Sequence, residues 1–402
     1  MSRLFIIGAG FSKALADAPL ANGFIKAIYD ETLNQDMKYQ HAGEWRSDRT
    51  AFQKLLKHFH ESTTKLVESL EQNDSKKILN RDFESFLESL NIEFLCSFLD
   101  LHIAHCFIPL AKGVNLQGCP IPLVNGFHQY ELKSALKFIK HHMIELLLEE
   151  NLSLNTSAFD KMSDFFREGD NVISFNYDLL IEQMLWKRKL WNPFDGYGFE
   201  FKRNGNEDVH ESRITIIKVH GSINWRSPDI LFHPDLQLAI SHPFKDEPLF
   251  EGLKIENSIH NKTKYIEYPI CSHVIIPTFA KSPRYNWELR IVNKALEFCR
   301  NAEEVYILGY SFPEADYITN LLFSEMNHDA CLKIILWDKN KDVAKELRSK
   351  IIKKYSIENE NVKHENSSIE SWINSGFEFT AYERYLKEQA EMEQVLNISE
   401  RK

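Results

Sequence analysis

Leu4-Phe5-Ile6-Ile7-Gly8-Ala9-Gly10-Phe11-Ser12-Lys13 is an apolar run that ends in two glycines and passes into a helical stretch. Four apolar residues bounded in this way predict a short strand buried on both faces, and the glycines predict a tight strand-to-helix turn. Glycines at such a turn let the backbone approach a pyrophosphate, which the unpaired N–H groups of the following helix can bind. The third glycine of a dinucleotide fingerprint is missing, because Lys13 stands at that place. Taken alone, the segment reads equally as a phosphate loop or as an ordinary tight turn.

Similar runs recur late in the chain: Asn171-Val-Ile-Ser-Phe-Asn176, Ile214-Thr-Ile-Ile-Lys-Val-His220, His273-Val-Ile-Ile-Pro277, Val305-Tyr-Ile-Leu-Gly309 and Leu332-Lys-Ile-Ile-Leu-Trp-Asp338. They are rich in β-branched residues, apolar on both faces and separated by helical stretches, the signature of a parallel sheet covered by helices. Between the first strand and residue 171 the period changes. Phe83, Phe86, Leu87, Leu90, Phe94 and Leu95 recur at helical spacing, as do Leu132, Leu136, Ile139, Met143, Ile144 and Leu147. The expected fold is therefore α/β: a Rossmann-like parallel sheet flanked by helices, with a large helical insertion and a C-terminal helix. The expected boundaries are 1–29 with 166–378 for the sheet domain, 30–165 for the insertion and 379–402 for the terminal helix. Stretches 196–213 and 226–265, with their Gly, Asn, Asp, Pro and Ser clusters, predict long loops.

The 402 residues carry 58 acidic against 48 basic side chains, a formal net charge of −10, which disfavours direct nucleic-acid binding by electrostatics. The six cysteines, Cys96, Cys106, Cys119, Cys271, Cys299 and Cys331, form no CxxC pair, so neither a zinc ribbon nor a thioredoxin motif is expected and no metal is assigned. No apolar run approaches the length of a membrane span, and the apolar start reaches Lys13 too soon for a signal peptide. A cytoplasmic protein with free thiols is expected.

Four further motifs carry candidate chemistry. Ser174-Phe175-Asn176-Tyr177-Asp178 would lie at the carboxyl edge of the sheet, where α/β folds bind ligands, or would merely cap a helix. Lys218-Val219-His220-Gly221-Ser222-Ile223-Asn224-Trp225 places a histidine at a strand end, open to titration near neutrality; with sixteen histidines in the chain a structural role is the plain alternative. Ile307-Leu308-Gly309-Tyr310-Ser311 repeats the order strand, glycine, hydroxyl, suited to a phosphate or ribose contact. Trp337-Asp338-Lys339-Asn340 sets an acid at a later strand end, as a ribose-binding carboxylate or as a surface turn.

In their order, these motifs resemble the sirtuin-like (silent information regulator 2-like) family over about residues 3–25 and 168–345. In sirtuins the corresponding elements are a Gly-Ala-Gly phosphate loop, a Gln-Asn-Ile-Asp segment, a His-Gly with the catalytic histidine, a Gly-Thr/Ser-Ser loop and an Asn-x-Glu ribose contact. The chain departs from the deacetylases in lacking the zinc ribbon, in replacing Asp-Phe-Arg after the glycine loop, and in having Phe175 where they have Gln. With its helical insertion it resembles zinc-free bacterial NAD hydrolases of anti-phage defence. The resemblance implies NAD as substrate, Asn176, His220 and Asp178 as catalytic residues, and Gly8, Ala9, Gly10, Phe11, Ser12, Phe175, Gly309, Tyr310, Ser311 and Asp338 in dinucleotide binding. It further implies an NAD-depleting effector of abortive infection that is a homo-oligomer or is restrained by a HerA-like ATPase ring. The alternatives are an NAD-dependent deacylase or ADP-ribosyltransferase, and a non-catalytic sensor of NAD or ADP-ribose.

Overall fold

A computed structural model of the chain describes residues 2–34, 48–61, 82–105, 129–147, 152–198, 210–228, 239–240, 270–274, 286–313, 316–336, 341–365 and 368–379. In chain order the elements are β1 (Arg3–Ile7), α1 (Ala9–Ala16), α2 (Phe24–Asn34), α3 (48–61), α4 (Phe83–Ser89), α5 (Ile92–His105), α6 (Gln129–Leu146) and α7 (Thr156–Phe165). There follow β2 (Asn171–Ser174), α8 (Leu180–Lys187), β3 (Thr215–Lys218), β4 (Gly221–Pro228), β5 (Ala239–Ile240) and β6 (Ile270–Val274). The chain continues with α9 (Asn286–Asn301), β7 (Glu304–Leu308), α10 (Tyr317–Ser324), β8 (Cys331–Ile335), α11 (Lys341–Tyr355), β9 (Val362–His364) and α12 (Ile369–Asn374). It divides into two compact units: residues 1–18, 147–275 and 281–402 form one, and residues 19–146 with 276–280 form the other.

The first unit holds a six-stranded sheet in the order β3-β2-β1-β7-β8-β9, with every neighbouring pair parallel. Numbered along the chain within this sheet, the order is third, second, first, fourth, fifth, sixth, which is the Rossmann arrangement. The apolar runs explain it: all five residues of β1 are buried, and so are four of the five in β7, because helices cover both faces. Phe5 of β1 stacks on Tyr306 of β7 at 4.9 Å between ring centroids and meets Phe166 at 4.6 Å. Each such buried side chain contributes roughly 1.5–3 kcal/mol. Arg3 remains inside because its Nε donates to Asp170 Oδ1 at 2.8 Å.

One expectation is overturned. The run beginning at His273 does not join the parallel sheet; β6 pairs antiparallel with β4 in a separate sheet of order β5-β4-β6. Only Val219 and His220 separate β3 from β4, and Gly221 takes a left-handed φ of 80° there, so the chain reverses. A parallel return to the same sheet would need a crossover of a dozen or more residues. Part of the stretch expected as loop, 226–228 and 239–240, is thus strand, and β9 is a further strand not expected from the sequence. In the second unit, α5 packs on α6, and α2 on α4 and α6. Asp82 caps α4 by accepting from Ser85 N at 2.7 Å.

Candidate functional site

The six-stranded sheet reverses its winding between β1 and β7, and the loops leaving these two strands meet at their carboxyl ends. Such a switch point is where open α/β sheets bind ligands. The two loops are locked backbone to backbone: Gly8 N donates to Leu308 O at 3.0 Å, and Gly10 N donates to Gly309 O at 2.9 Å. A Cβ on Gly8 would fall 2.6 Å from Tyr310 Cα, and one on Gly309 would fall 2.2 Å from Phe11 N. Gly309 also has φ +63°, a region that L side chains avoid. These two glycines are therefore demanded by each other. Ala9 and Ser311 are the exposed residues of the two loops.

Behind the glycines, three polar side chains form one chain of hydrogen bonds. Asn176 Nδ2 donates to Gly8 O and to Ser12 Oγ, both at 2.9 Å. Ser12 Oγ in turn donates to Asp178 Oδ2 at 2.6 Å. Asp178 Oδ1 accepts from Leu180 N at 3.2 Å, tying the carboxylate to the start of α8. Because a carbonyl can only accept, Gly8 O fixes which end of the Asn176 amide is nitrogen. Both amide hydrogens are then used, and Oδ1 is left as the acceptor for a ligand hydroxyl or a water. Asn176 itself is 7% exposed.

This loop is braced from beneath. Lys218, at the end of β3, donates from Nζ to Asp178 O and lies 2.9 Å from Glu182 Oε1 of α8, with both side chains wholly buried. Tyr197 donates to Glu182 Oε1 at 3.2 Å and receives from Asn224 Nδ2 at 3.1 Å. Burial pushes the Glu182 carboxyl above its usual value against the pull of Lys218, and burial beside Glu182 pushes the Tyr197 hydroxyl well up. The cluster has no route to solvent, so its chemistry is structural: it sets the height of the Asn176–Asp178 loop.

His220 stands at the β3–β4 reversal and is 3% exposed. Its ring meets Phe175 edge-on at 5.2 Å, and its Nε2 lies 3.2 Å from Asp316 Oδ2. Phe175 stacks on Tyr310 at 4.2 Å. The Tyr310 hydroxyl turns inward to Asp316 Oδ2 at 3.1 Å and to Thr319 Oγ1. Asp316 caps α10, accepting at Oδ1 from Ile318 N at 3.2 Å and from Thr319 N at 3.4 Å. Three strand-end loops thus converge on one place.

The sequence-predicted residues divide by position. Asn176, Asp178 and Ser12 are brought together in one network, and His220 lies against Phe175, the neighbour of Asn176. The Phe11 ring lies in the hydrophobic core and its backbone N–H donates to Gly8 O at 2.9 Å, while the Ser12 and Tyr310 hydroxyls are engaged by protein, so these three support the loops from within. Asp338 and residues 380–402 of the expected terminal helix lie outside the described residues. Asp316, Lys218 and Glu182 escaped sequence reasoning. A lone cation in Ile216-Ile217-Lys218-Val219 was the signal for the buried pair. Among the described residues no group of three or more His, Cys, Asp or Glu is placed to hold a metal ion, and no helix is long and apolar enough to cross a membrane.

Among solved structures the chain is similar at low identity to Sir2 proteins. Sir2 in complex with the inhibitor EX-527, 2′-O-acetyl-ADP-ribose and a deacetylated p53 peptide is 12% identical, with 62% of this chain and 83% of that one covered and a TM-score of 0.33. A Sir2 enzyme from a study of the mechanism and regulation of that group is 13% identical, covering 61% and 74% at 0.31. Sir2 bound to an acetylated peptide is 12% identical, covering 55% and 71% at 0.28. No match was found among curated proteins. Residues 170–360, which carry Asn176, Asp178, His220, Gly309 and Asp316, match the family model described as a SIR2-like domain.

Proposed function

We propose that this chain hydrolyses NAD at the nicotinamide–ribose bond, giving nicotinamide and ADP-ribose. One observation carries the assignment. At the switch point of the sheet, the Asn176 amide is held by both its hydrogens, on Gly8 O and Ser12 Oγ, leaving a fixed acceptor beside the loop that bears His220. Cleavage of this bond passes through an oxocarbenium-like state at C1′. The C1′–N bond breaks, its electron pair returns to the pyridine ring, and nicotinamide departs neutral without a general acid. What the site must supply is orientation, a contact to the ribose hydroxyls and removal of a proton from the attacking water.

Asn176 Oδ1 would accept from a ribose hydroxyl or from that water. His220 would take the water's proton as the new C1′–O bond forms and release it to solvent. Asp178 acts through Ser12, holding the amide in register. Ala9 and Ser311, the exposed residues of the two locked loops, would lie against the pyrophosphate, and Asp338 would reach the adenosine ribose. The spelling of the motifs supports a wider assignment, to NAD-depleting effectors of anti-phage defence working as a homo-oligomer or under a HerA-like ATPase ring.

Purified protein incubated with NAD should release nicotinamide. His220→Ala and Asn176→Ala should each lower the rate about 100-fold or more, with melting temperatures close to the parent's. No release in any assembly state, or hydrolysis by both variants at the parent rate, would overturn the assignment. Removal of an acetyl group from an acetyl-lysine peptide without free hydrolysis would replace it by a deacylase. Native mass across a concentration series tests the oligomer; a monomer throughout removes that part.

A further inference from the structure

The backbone ladder of α8 begins with Gln183 N donating to Leu179 O at 2.9 Å. The two carbonyls just ahead of it, Tyr177 O and Asp178 O, find donors on another segment, as acceptors withdrawn from water must. Ile223 N donates to Tyr177 O at 3.0 Å, and Lys218 Nζ donates to Asp178 O. Lys218 stands two residues before His220 and Ile223 three residues after it. The short segment that carries His220 is thus fastened at both ends to consecutive carbonyls of the segment that carries Asn176 and Asp178. The strand pairing runs up to this point, with Val219 N donating to Ser174 O at 3.2 Å.

Lys218 and Glu182 have no exposed side-chain surface, and taking a lysine cation out of water is costly even with its partner at 2.9 Å. Apolar side chains of the same volume would brace a loop at least as firmly. What they lack is direction. An ammonium presents three hydrogens at fixed angles; one goes to Asp178 O, and Glu182 Oε1 lies within reach of another. Glu182 sits in the first turn of α8, so a single cation ties together the start of that helix, the loop before it and the end of β3. We propose that Lys218 is a positioning residue for the cleavage: by clamping the two loops to each other it sets the separation between the Asn176 amide and the His220 ring. The kinetic consequence rests on the NAD-cleaving assignment; the clamp itself does not.

The double variant Glu182→Gln/Lys218→Met separates positioning from folding, because it removes the donor to Asp178 O and leaves no buried charge behind. Its melting temperature should lie within a few degrees of the parent's, yet kcat should fall about 30-fold with KM for NAD within about threefold. In an Asn176→Ala background the same two changes should lower kcat by less than about threefold, since an amide already absent cannot be misplaced. A general loosening of the fold would act in both backgrounds alike. Amide hydrogen exchange at Ile223, read at equal distance below each melting temperature, should quicken at least about tenfold in the double variant. Parent-like kcat in the double variant, an equal fall in both backgrounds, or exchange at Ile223 within about twofold of the parent's overturns the proposal. Should that variant not fold, Glu182→Leu/Lys218→Leu removes the same donor, and the same three outcomes decide. If the parent itself does not cleave NAD, exchange at Ile223 still decides the clamp, and it is the assigned reaction that fails.

Discussion

Lys218 and Glu182 face each other at 2.9 Å with no exposed surface on either side chain, directly under the loop that carries Asn176 and Asp178. Replacing Lys218 by methionine keeps the volume and removes the only charge that this pair sets against the carboxylate. Burial already pushes Glu182 above the usual carboxylate range while its cation is present. Without it the carboxyl will take a proton, and the cost of doing so at pH 7 is about 1.4 kcal/mol for each pH unit above its ordinary value near 4.5, hence about 3 kcal/mol. For a unit of this size that lowers the melting temperature by roughly 6–12 °C. The sign with pH follows. In Lys218→Met the folded state holds a proton that the unfolded state releases, so stability should fall as pH rises above about 4.5. Tryptophan fluorescence suits the assay, because Trp225 packs on Tyr197 at 5.3 Å within the same cluster. The double variant Glu182→Gln/Lys218→Met should recover most of the loss, since no buried charge remains. A single variant that loses less than about 1 kcal/mol, or that is no more sensitive to pH than the double, would refute the cost assigned to the buried pair.

Gly309→Ala combines a left-handed φ with a Cβ 2.2 Å from Phe11 N, so a loss of at least about 2 kcal/mol is expected, along with weaker NAD binding by calorimetry. Ser12→Ala removes the link between Asn176 and Asp178; nicotinamide release should fall roughly tenfold with a stability loss of about 1–2 kcal/mol, read by chromatography and denaturant titration. His364, pushed down to about 4 by burial and then by Arg348 and Lys345, is favoured neutral in the fold. Because the unfolded chain binds that proton first, stability should fall as pH drops from about 6.5 to 4, by a ceiling of about 3 kcal/mol, and His364→Gln should flatten the melting-temperature profile in that window.

The parallel strands were legible because a strand covered on both faces must be apolar throughout, as Leu4–Ile7 and Val305–Leu308 are. Sheet membership was less so. Whether His273-Val274 joins the parallel sheet depends on a reversal at Gly221 fifty residues earlier, and period alone carries no such information. Val362-Lys363-His364 is three residues long, with only its alternate positions buried, and a run so short and polar gives no signal. At the site, Asn176, Asp178 and His220 could be read because each follows an apolar run and so falls at a strand's carboxyl end. Asp316 could not: Pro313-Glu314-Ala315-Asp316 is an ordinary helix start, and only the fold aims its second oxygen at His220. Glu182 was hidden likewise, since an acid in the first turn of a helix reads as a dipole partner at the surface, whereas here it is wholly buried.

Phe175, where the resemblance leads one to expect glutamine, follows from its neighbours. The pocket around that position is walled by the Tyr310 ring at 4.2 Å and by the edge of His220 at 5.2 Å. A glutamine amide there would have to bury four hydrogen-bonding capacities against two rings, and each one left unmet costs about 1–3 kcal/mol. An aromatic ring instead gains from the stack, by about 0.5–1.5 kcal/mol beyond its buried area. The stack holds Tyr310 so that its hydroxyl reaches Asp316, whose Oδ2 lies 3.2 Å from His220 Nε2, and the His220 ring meets Phe175 again. Four side chains from three strand ends thus form a closed ring, and changing any one of them alone leaves a buried polar group or a cavity in the others. Phe175 and Tyr310 therefore pack as one unit, and the departure from the glutamine pattern sets an aromatic face against the edge of the imidazole.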